Sequence, residues 1–184
     1  MNDLGGGFPD PARDGARAFR AILDAMARPG RIVTVEGAHA PGLSPAAAAV
    51  ALTLCDPDVP VYLAEGASGA RAWLTFHCGT PFVDKAECAF AFGRWDALAP
   101  LTPYRIGTSE YPDRSATLVV EVDTLTAEGP CLTGPGIAET RHLSLPDVDA
   151  LRGNAAQFPL GVDVMLTCGD RLACLPRSTR IGDA

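Results

Sequence analysis

Ser44-Pro45 followed by AAAAVALTLC is the stretch that most restricts the fold of this chain. A serine hydroxyl ahead of a proline is a strong helix start, because it caps free N–H groups where proline has none to offer. The helix that follows is small and apolar almost all round. It has no polar face to give to water, so it must be buried, and the rest of the chain has to supply its cover.

The flanking segments read as that cover. Residues 1–10 contain GGG and are expected to be a mobile lead-in. Asp14 can cap a helix running through GARAFRAILDAMA, with Phe19, Ile22, Leu23 and Met26 on one face. Pro29-Gly30 stops it. RIVTVE and VPVYLAE read as strands, and residues 67–76 as a helix with Ala70, Trp73, Leu74 and Phe76 on or near its buried side. ECAFAFG is a short strand, RWDALAPL a short helix, and residues 103–115 a long polar loop. SATLVVEVDTL, CLTG and residues 137–145 read as strands, and residues 147–152 as one or two helical turns. VDVMLTCGDRLACLPRS reads as two strands around a Gly169-Asp170 hairpin. Helices alternate with strands early and hairpins dominate late. The expected fold is α/β, a mixed sheet with helices on its faces, forming one domain over residues 11–184.

Composition narrows the function. Apolar residues make up 47%, enough for a full core, and the net charge is −7. Nucleic acid needs clustered cations, so this balance argues against it as the main partner. MNDLGGGFPD has neither the basic start nor the apolar run of a signal peptide. The longest apolar stretch, Ala46 to Cys55, is far short of a membrane span. The expectation is a soluble cytoplasmic protein without a membrane partner. The six cysteines form no C-x-x-C pair, and most lie in apolar runs, where cysteine behaves as a small hydrophobe.

The most suggestive loop is LTGPGIAETRH, residues 132–142. A P-loop needs a terminal lysine beside serine or threonine, and a dinucleotide loop needs G-x-G-x-x-G opening a helix. Neither is present. Pro135 and Gly136 instead suit a type II turn, with φ near −65° and then φ > 0. Thr133, Gly134, Gly136 and Arg141, with His77 at a helix end, remain candidates for anion contact or for an interface. Arg28, Arg31 and Arg114 lie near turns or helix ends, where they can meet a phosphate, a partner's carboxylate or only solvent.

Lys85 is the sole lysine, so Schiff-base chemistry has one candidate. It sits between Asp84 and Glu87, which favour the ammonium over the free amine a nucleophile needs, and it is expected to be solvated. No G-x-S-x-G occurs. His39, His77 and His142 read most simply as structural. The residues support no catalytic, cofactor or metal assignment. Trp73, Trp95 and Tyr104 are possible anchors for a partner, with core packing the favoured reading for Trp73.

FRAILDAMARPG at 19–30, FHCGTPFV at 76–83, LTGPGIAE at 132–139 and FPLGVDVMLTCGDRLACLPRST at 158–179 together resemble the PhnH family, the H subunit of the bacterial carbon–phosphorus lyase complex. The resemblance covers almost the whole chain, in order. It implies a three-layer α/β/α sandwich similar to pyridoxal-phosphate-dependent transferases, without the cofactor and its lysine. It implies a complex with the G, I and J subunits and, functionally, the L subunit. That machinery makes α-D-ribose 1-methylphosphonate 5-triphosphate from ATP and methylphosphonate. On this view the chain is a non-catalytic subunit, and a homodimer when isolated. The alternative is a stand-alone transferase that binds nucleotide or phosphonate on the same scaffold.

Overall fold

The structure is a computed structural model and describes residues 4–183. A mixed sheet of six strands is its frame, ordered β1 (Val33–Thr34), β8 (Arg171–Leu175), β7 (Asp163–Cys168), β4 (Thr117–Glu121), β3 (Phe90–Arg94), β2 (Val61–Leu63). β2, β3, β4 and β7 run parallel, in a register that aligns Phe92, Val119 and Met165. β8 returns antiparallel to β7 across the Gly169-Asp170 turn, and β1 pairs antiparallel with β8. A second sheet of three short strands is ordered β6 (Arg141–His142), β5 (Cys131–Thr133), β9 (Arg180–Ile181). The α/β class with a mixed sheet is as expected.

Side chains on a strand alternate between faces, so the large sheet buries one set on each side. Phe92, Val119, Met165 and Cys174 face α1 (Pro11–Ala27), α2 (Pro45–Leu54) and α3 (Arg71–His77). Leu118, Val164, Leu166 and Ala173 face a second cluster. That cluster includes Leu98 of α4 (Trp95–Leu98), Leu151 of α5 (Val148–Ala155), Leu132 and Leu143.

α2 forms as its sequence dictates. Ser44 Oγ accepts from Ala47 N–H at 3.2 Å. The Ser44 N–H itself donates to Glu121 Oε1 at 2.7 Å, so a carboxylate from the end of β4 closes the helix start. Ala46 to Ala51 are all buried.

α1 differs from expectation in its cap and in its buried face. Asp10 is the N-cap, accepting from Arg13 N–H, while Asp14 accepts the Asp10 N–H at 2.9 Å. Ala18, Ile22 and Ala25 face inward, whereas Phe19 and Leu23 are 48% and 55% exposed. The neighbouring α2 is lined by alanines and packs close, which selects a slim stripe on α1 over the bulky one. Phe76 is likewise exposed, not buried, while Trp73 and Leu74 are fully covered. The expected strands are shorter than their sequence runs, with VPVYLAE reduced to β2, SATLVVEVDTL to β4, RIVTVE to the two residues of β1, and 137–145 to the two of β6, where Ile137 closes a turn and Ala138 to Thr140 stand exposed.

Residues 1–3 of the expected lead-in lie outside the described residues. Residues 4–6 have partners. His77 Nε2 donates to Leu4 O at 2.9 Å, Trp73 Nε1 to Gly5 O at 2.7 Å, and His39 N–H to Gly6 O at 2.8 Å. No helix among the described residues is long and apolar enough to cross a membrane.

Candidate functional site

Two proline–glycine turns meet at one end of α1. Arg28 precedes Pro29, a position from which helical geometry is disfavoured, and α1 ends there. Gly30 has φ +78°, and Arg31 N–H donates to Arg28 O at 3.0 Å. The second turn repeats the pattern: Pro135, then Gly136 at φ +82°, with Ile137 N–H donating to Gly134 O at 3.1 Å. Proline at the second position with positive φ at the third is type II geometry. The TGPG segment is thus the turn its residues suggested.

The turns pack directly on one another. A Cβ on Gly136 would run into the Ala27 carbonyl oxygen and lie 3.0 Å from Pro29 Cδ. A Cβ on Gly30 would lie 3.0 Å from Leu132 Cδ1 and 3.3 Å from Arg141 Cβ. A Cβ on Gly134 would lie 3.1 Å from the Ser178 carbonyl oxygen. The segments near residues 28, 134 and 178 therefore share one surface, which nothing local in the sequence announced.

Each candidate residue has a place on or off this surface. Leu132 is buried and pairs with Arg141 on β6 and Ile181 on β9. Thr133 is half-buried, and its backbone pairs with Arg180. Gly134 and Gly136 shape the turn. Arg141 is exposed, beside Gly30, with no acidic partner among the described residues. Asp24 sits between Arg28, with which it pairs, and Arg31 at 3.0 Å. A shallow groove of about 420 Å³ runs between Arg20, Leu23, Asp24, Ala27, Arg28 and Gly136. His77 belongs elsewhere. It is held by Leu4 and lies tilted against Trp73, ring centroids 4.5 Å apart.

This arrangement offers an apolar floor with a guanidinium rim. No helix starts after the turn, so no helix dipole is aimed at an anion there. Two of the nearby cations are already occupied by Asp24. Its chemistry suits recognition of a surface more than enclosure of a phosphate.

Two other clefts flank Trp95. One, of about 320 Å³, lies at the carboxyl ends of β3 and β4, the customary ligand side of parallel sheets. There Arg94 grips Asp123 bidentately at 3.0 and 2.8 Å. That contact raises the arginine's pKa and lowers the aspartate's, mainly through the shared hydrogen bonds. The other cleft, of about 670 Å³, opens between α4 and α5, with Leu101, Tyr104 and Ile106 on its wall. Trp95 is half-buried and borders both clefts. Tyr104 is a core residue whose hydroxyl donates to Leu98 O at 3.0 Å, and Trp73 is core too.

Lys85 is not the solvated lysine expected. Its ammonium donates to Ala97 O and Leu98 O, both at 3.0 Å, and lies 5.6 and 5.7 Å from the ring centres of Tyr62 and Tyr104. It serves as a cap on the C-terminal carbonyls of α4, where a cation also complements the exposed backbone oxygens. Nothing in the local sequence placed those carbonyls beside it. The buried thiols are held neutral. Loss of hydration pushes Cys78 and Cys88 up to about 11 and Cys174 to about 12, and raises Cys55 further. Among the described residues no group of three or more His, Cys, Asp or Glu is placed to hold a metal ion.

Residues 6–182 match the family model described as "Bacterial phosphonate metabolism protein (PhnH)". A protein of Rhizobium meliloti (strain 1021), named alpha-D-ribose 1-methylphosphonate 5-triphosphate synthase subunit PhnH, is 43% identical, over 96% of this chain and 94% of its own. A protein of Stutzerimonas stutzeri, named putative C-P lyase subunit protein HtxG, is 34% identical, over 89% of this chain and 84% of its own. With the family model spanning nearly every described residue, the chain belongs to the PhnH family of bacterial phosphonate metabolism proteins.

Proposed function

We propose that this chain is a subunit of the carbon–phosphorus lyase machinery, acting in phosphonate catabolism. Its place is in the synthase that forms α-D-ribose 1-methylphosphonate 5-triphosphate from ATP and methylphosphonate. The observation that carries this is the 43% identity to a relative bearing that subunit name, across nearly the full length of both chains. In this reading the chain is non-catalytic, one domain from residue 11 onward, and works in the cytoplasm. Its partners are the G, I and J subunits, with the L subunit joining functionally, and it pairs with itself when isolated. The α/β frame corresponds to a three-layer sandwich akin to pyridoxal-phosphate-dependent transferases, used without the cofactor. Lys85, whose amine is turned toward the α4 carbonyls, is consistent with that use.

Co-expression tests the reading. A tagged copy, produced with the G, I and J subunits of the same genome, should elute with them in fixed proportion. Deleting the chain should abolish growth on methylphosphonate as phosphorus source. Separate elution, with ATP or methylphosphonate binding by the isolated chain, would replace this reading with the stand-alone transferase.

A further inference from the structure

We infer that the outward face of α1 is a docking surface for an amphipathic helix of a partner subunit, one whose apolar stripe is edged by carboxylates. The inference rests on the subunit reading above. Ala16, Phe19, Leu23 and Ala27 follow one another at helical spacing, and all four are exposed. Phe19 and Leu23, 48% and 55% exposed, are among the few large apolar side chains that the described residues leave open to water. They lie one turn apart at the middle of the stripe. Two bulky residues flanked by alanines form a small central cluster of the kind that carries most of an interface's energy. The groove beside Gly136 continues the same surface past Leu23 and Ala27.

The occupant's shape follows from the backbone. α1 satisfies its own N–H and C=O groups internally, so a strand cannot add to it. A second helix can pack there by ridges into grooves, and the terminal alanines let its axis come close. From Ala16 to Ala27 the stripe runs about 17 Å, at about 1.5 Å per residue, enough for three turns of a partner.

The occupant's charge follows from the rim. Residues 10–31 hold five arginines against three aspartates, a surplus of positive charge on a chain whose total is −7. Arg13 and Arg17 reach back to Asp10 and Asp14 at 3.6 and 3.2 Å, while Arg20 has no acidic partner among the described residues. Arg20 stands next to Phe19, and Arg141, without an acidic partner among the described residues, lies beside Gly30 just past the end of α1. Carboxylates on a partner complement this rim. A second copy of the chain does not, because a two-fold contact through the same stripe sets one arginine-rich rim against another.

The test measures affinity between the purified chain and a core of the G, I and J subunits, by interferometry. Phe19→Ser with Leu23→Ser, and separately Arg17→Glu with Arg20→Glu, should each weaken binding by about 30-fold or more. Wild-type affinity should fall as salt rises from about 50 to about 300 mM. Hydrogen exchange should slow across residues 13–28 in the complex. Circular dichroism and urea midpoints check that the variants remain folded. If the serine pair disturbs α1, the arginine pair keeps the test open, since Arg17 has a side chain 74% exposed. Unchanged affinity for both pairs, without protection of α1, overturns the docking surface and leaves the subunit reading intact. Failure of the wild-type chain to bind the core overturns both. Light scattering decides about self-association: a dimer broken by the serine pair, with core affinity untouched, assigns the stripe to a second copy and overturns the inference.

Discussion

Gly136 shows how one missing Cβ holds distant segments together. Its φ of +82° and its contact with the Ala27 carbonyl and Pro29 leave no room for a side chain. Gly136→Ala is therefore expected to destabilise the protein by about 1–3 kcal/mol, read as a lowered urea midpoint. Gly153→Ala is the control. Gly153 sits in α5 with nothing within 4 Å of its added Cβ, so alanine there should stabilise by about 0.5–1 kcal/mol. Equal effects at both sites would mean that the two turns do not press on each other as described. The turn itself was legible in the sequence, because proline followed by glycine sets its own dihedral angles. Its packing on the Pro29-Gly30 turn was not, since that contact joins residues far apart in the chain. Local sequence misleads at Lys85 for the same reason: its neighbours in sequence are carboxylates, while its neighbours in space are the carbonyls of α4.

At the scale of elements, α2 was the most legible. Its cap, its proline and its apolar surround all point one way, and the helix forms where they place it. The same feature explains why α1 buries its slim stripe and not its bulky one. Apolar bulk is a sound guide to a buried face when the neighbour offers room, but a wall of alanines offers little. Ala18, Ile22 and Ala25 fit against it, and Phe19 and Leu23 are turned out. Two substitutions separate cap from packing. Ser44→Ala removes one acceptor at the helix start and should cost about 1 kcal/mol. Ala48→Leu forces a larger side chain into a site with no exposed surface and should cost about 1–3 kcal/mol or more. Chemical unfolding of both measures this order. A larger loss for Ser44→Ala would show that α2 is held by its end, not by its sides. Short strands such as β1 and β6 were the least legible, because pairing depends on partners that local pattern does not reveal.

Across the whole molecule, both faces of the large sheet bury thiols, and these link stability to alkaline pH. Cys55, Cys78 and Cys174 lie under the helices, and Cys88 lies on the other side. From an ordinary value of 9.0, Cys78 and Cys88 rise to about 11 and Cys174 to about 12, through burial. Each native thiol then keeps its proton at a pH where the unfolded chain loses it. Their stabilising contribution is present below pH 9 and is lost as pH climbs from 9 through 11 for Cys78 and Cys88 and on toward 12 for Cys174. Tyr104, also raised by burial, pulls in the same direction. The urea midpoint should hold between pH 7 and 8.5 and drop steeply by pH 10. Cys88→Ala with Cys174→Ala should flatten the drop, and a midpoint indifferent to pH would refute it. The fold class was legible at this scale, because parallel strands and their crossover helices leave a repeating trace. The shared surface near Gly136 was not, because it is assembled by the fold from pieces that carry no signal alone.

The placement of Lys85 has a practical side. A protein with a single lysine, its ε-amine drawn onto Ala97 and Leu98, offers very few sites to reagents that acylate amines. Lysine-directed cross-linking of any assembly containing this chain will leave it nearly invisible, however intimate its contacts. Maps of such an assembly need carboxyl- or arginine-selective reagents, for which its surface is well supplied.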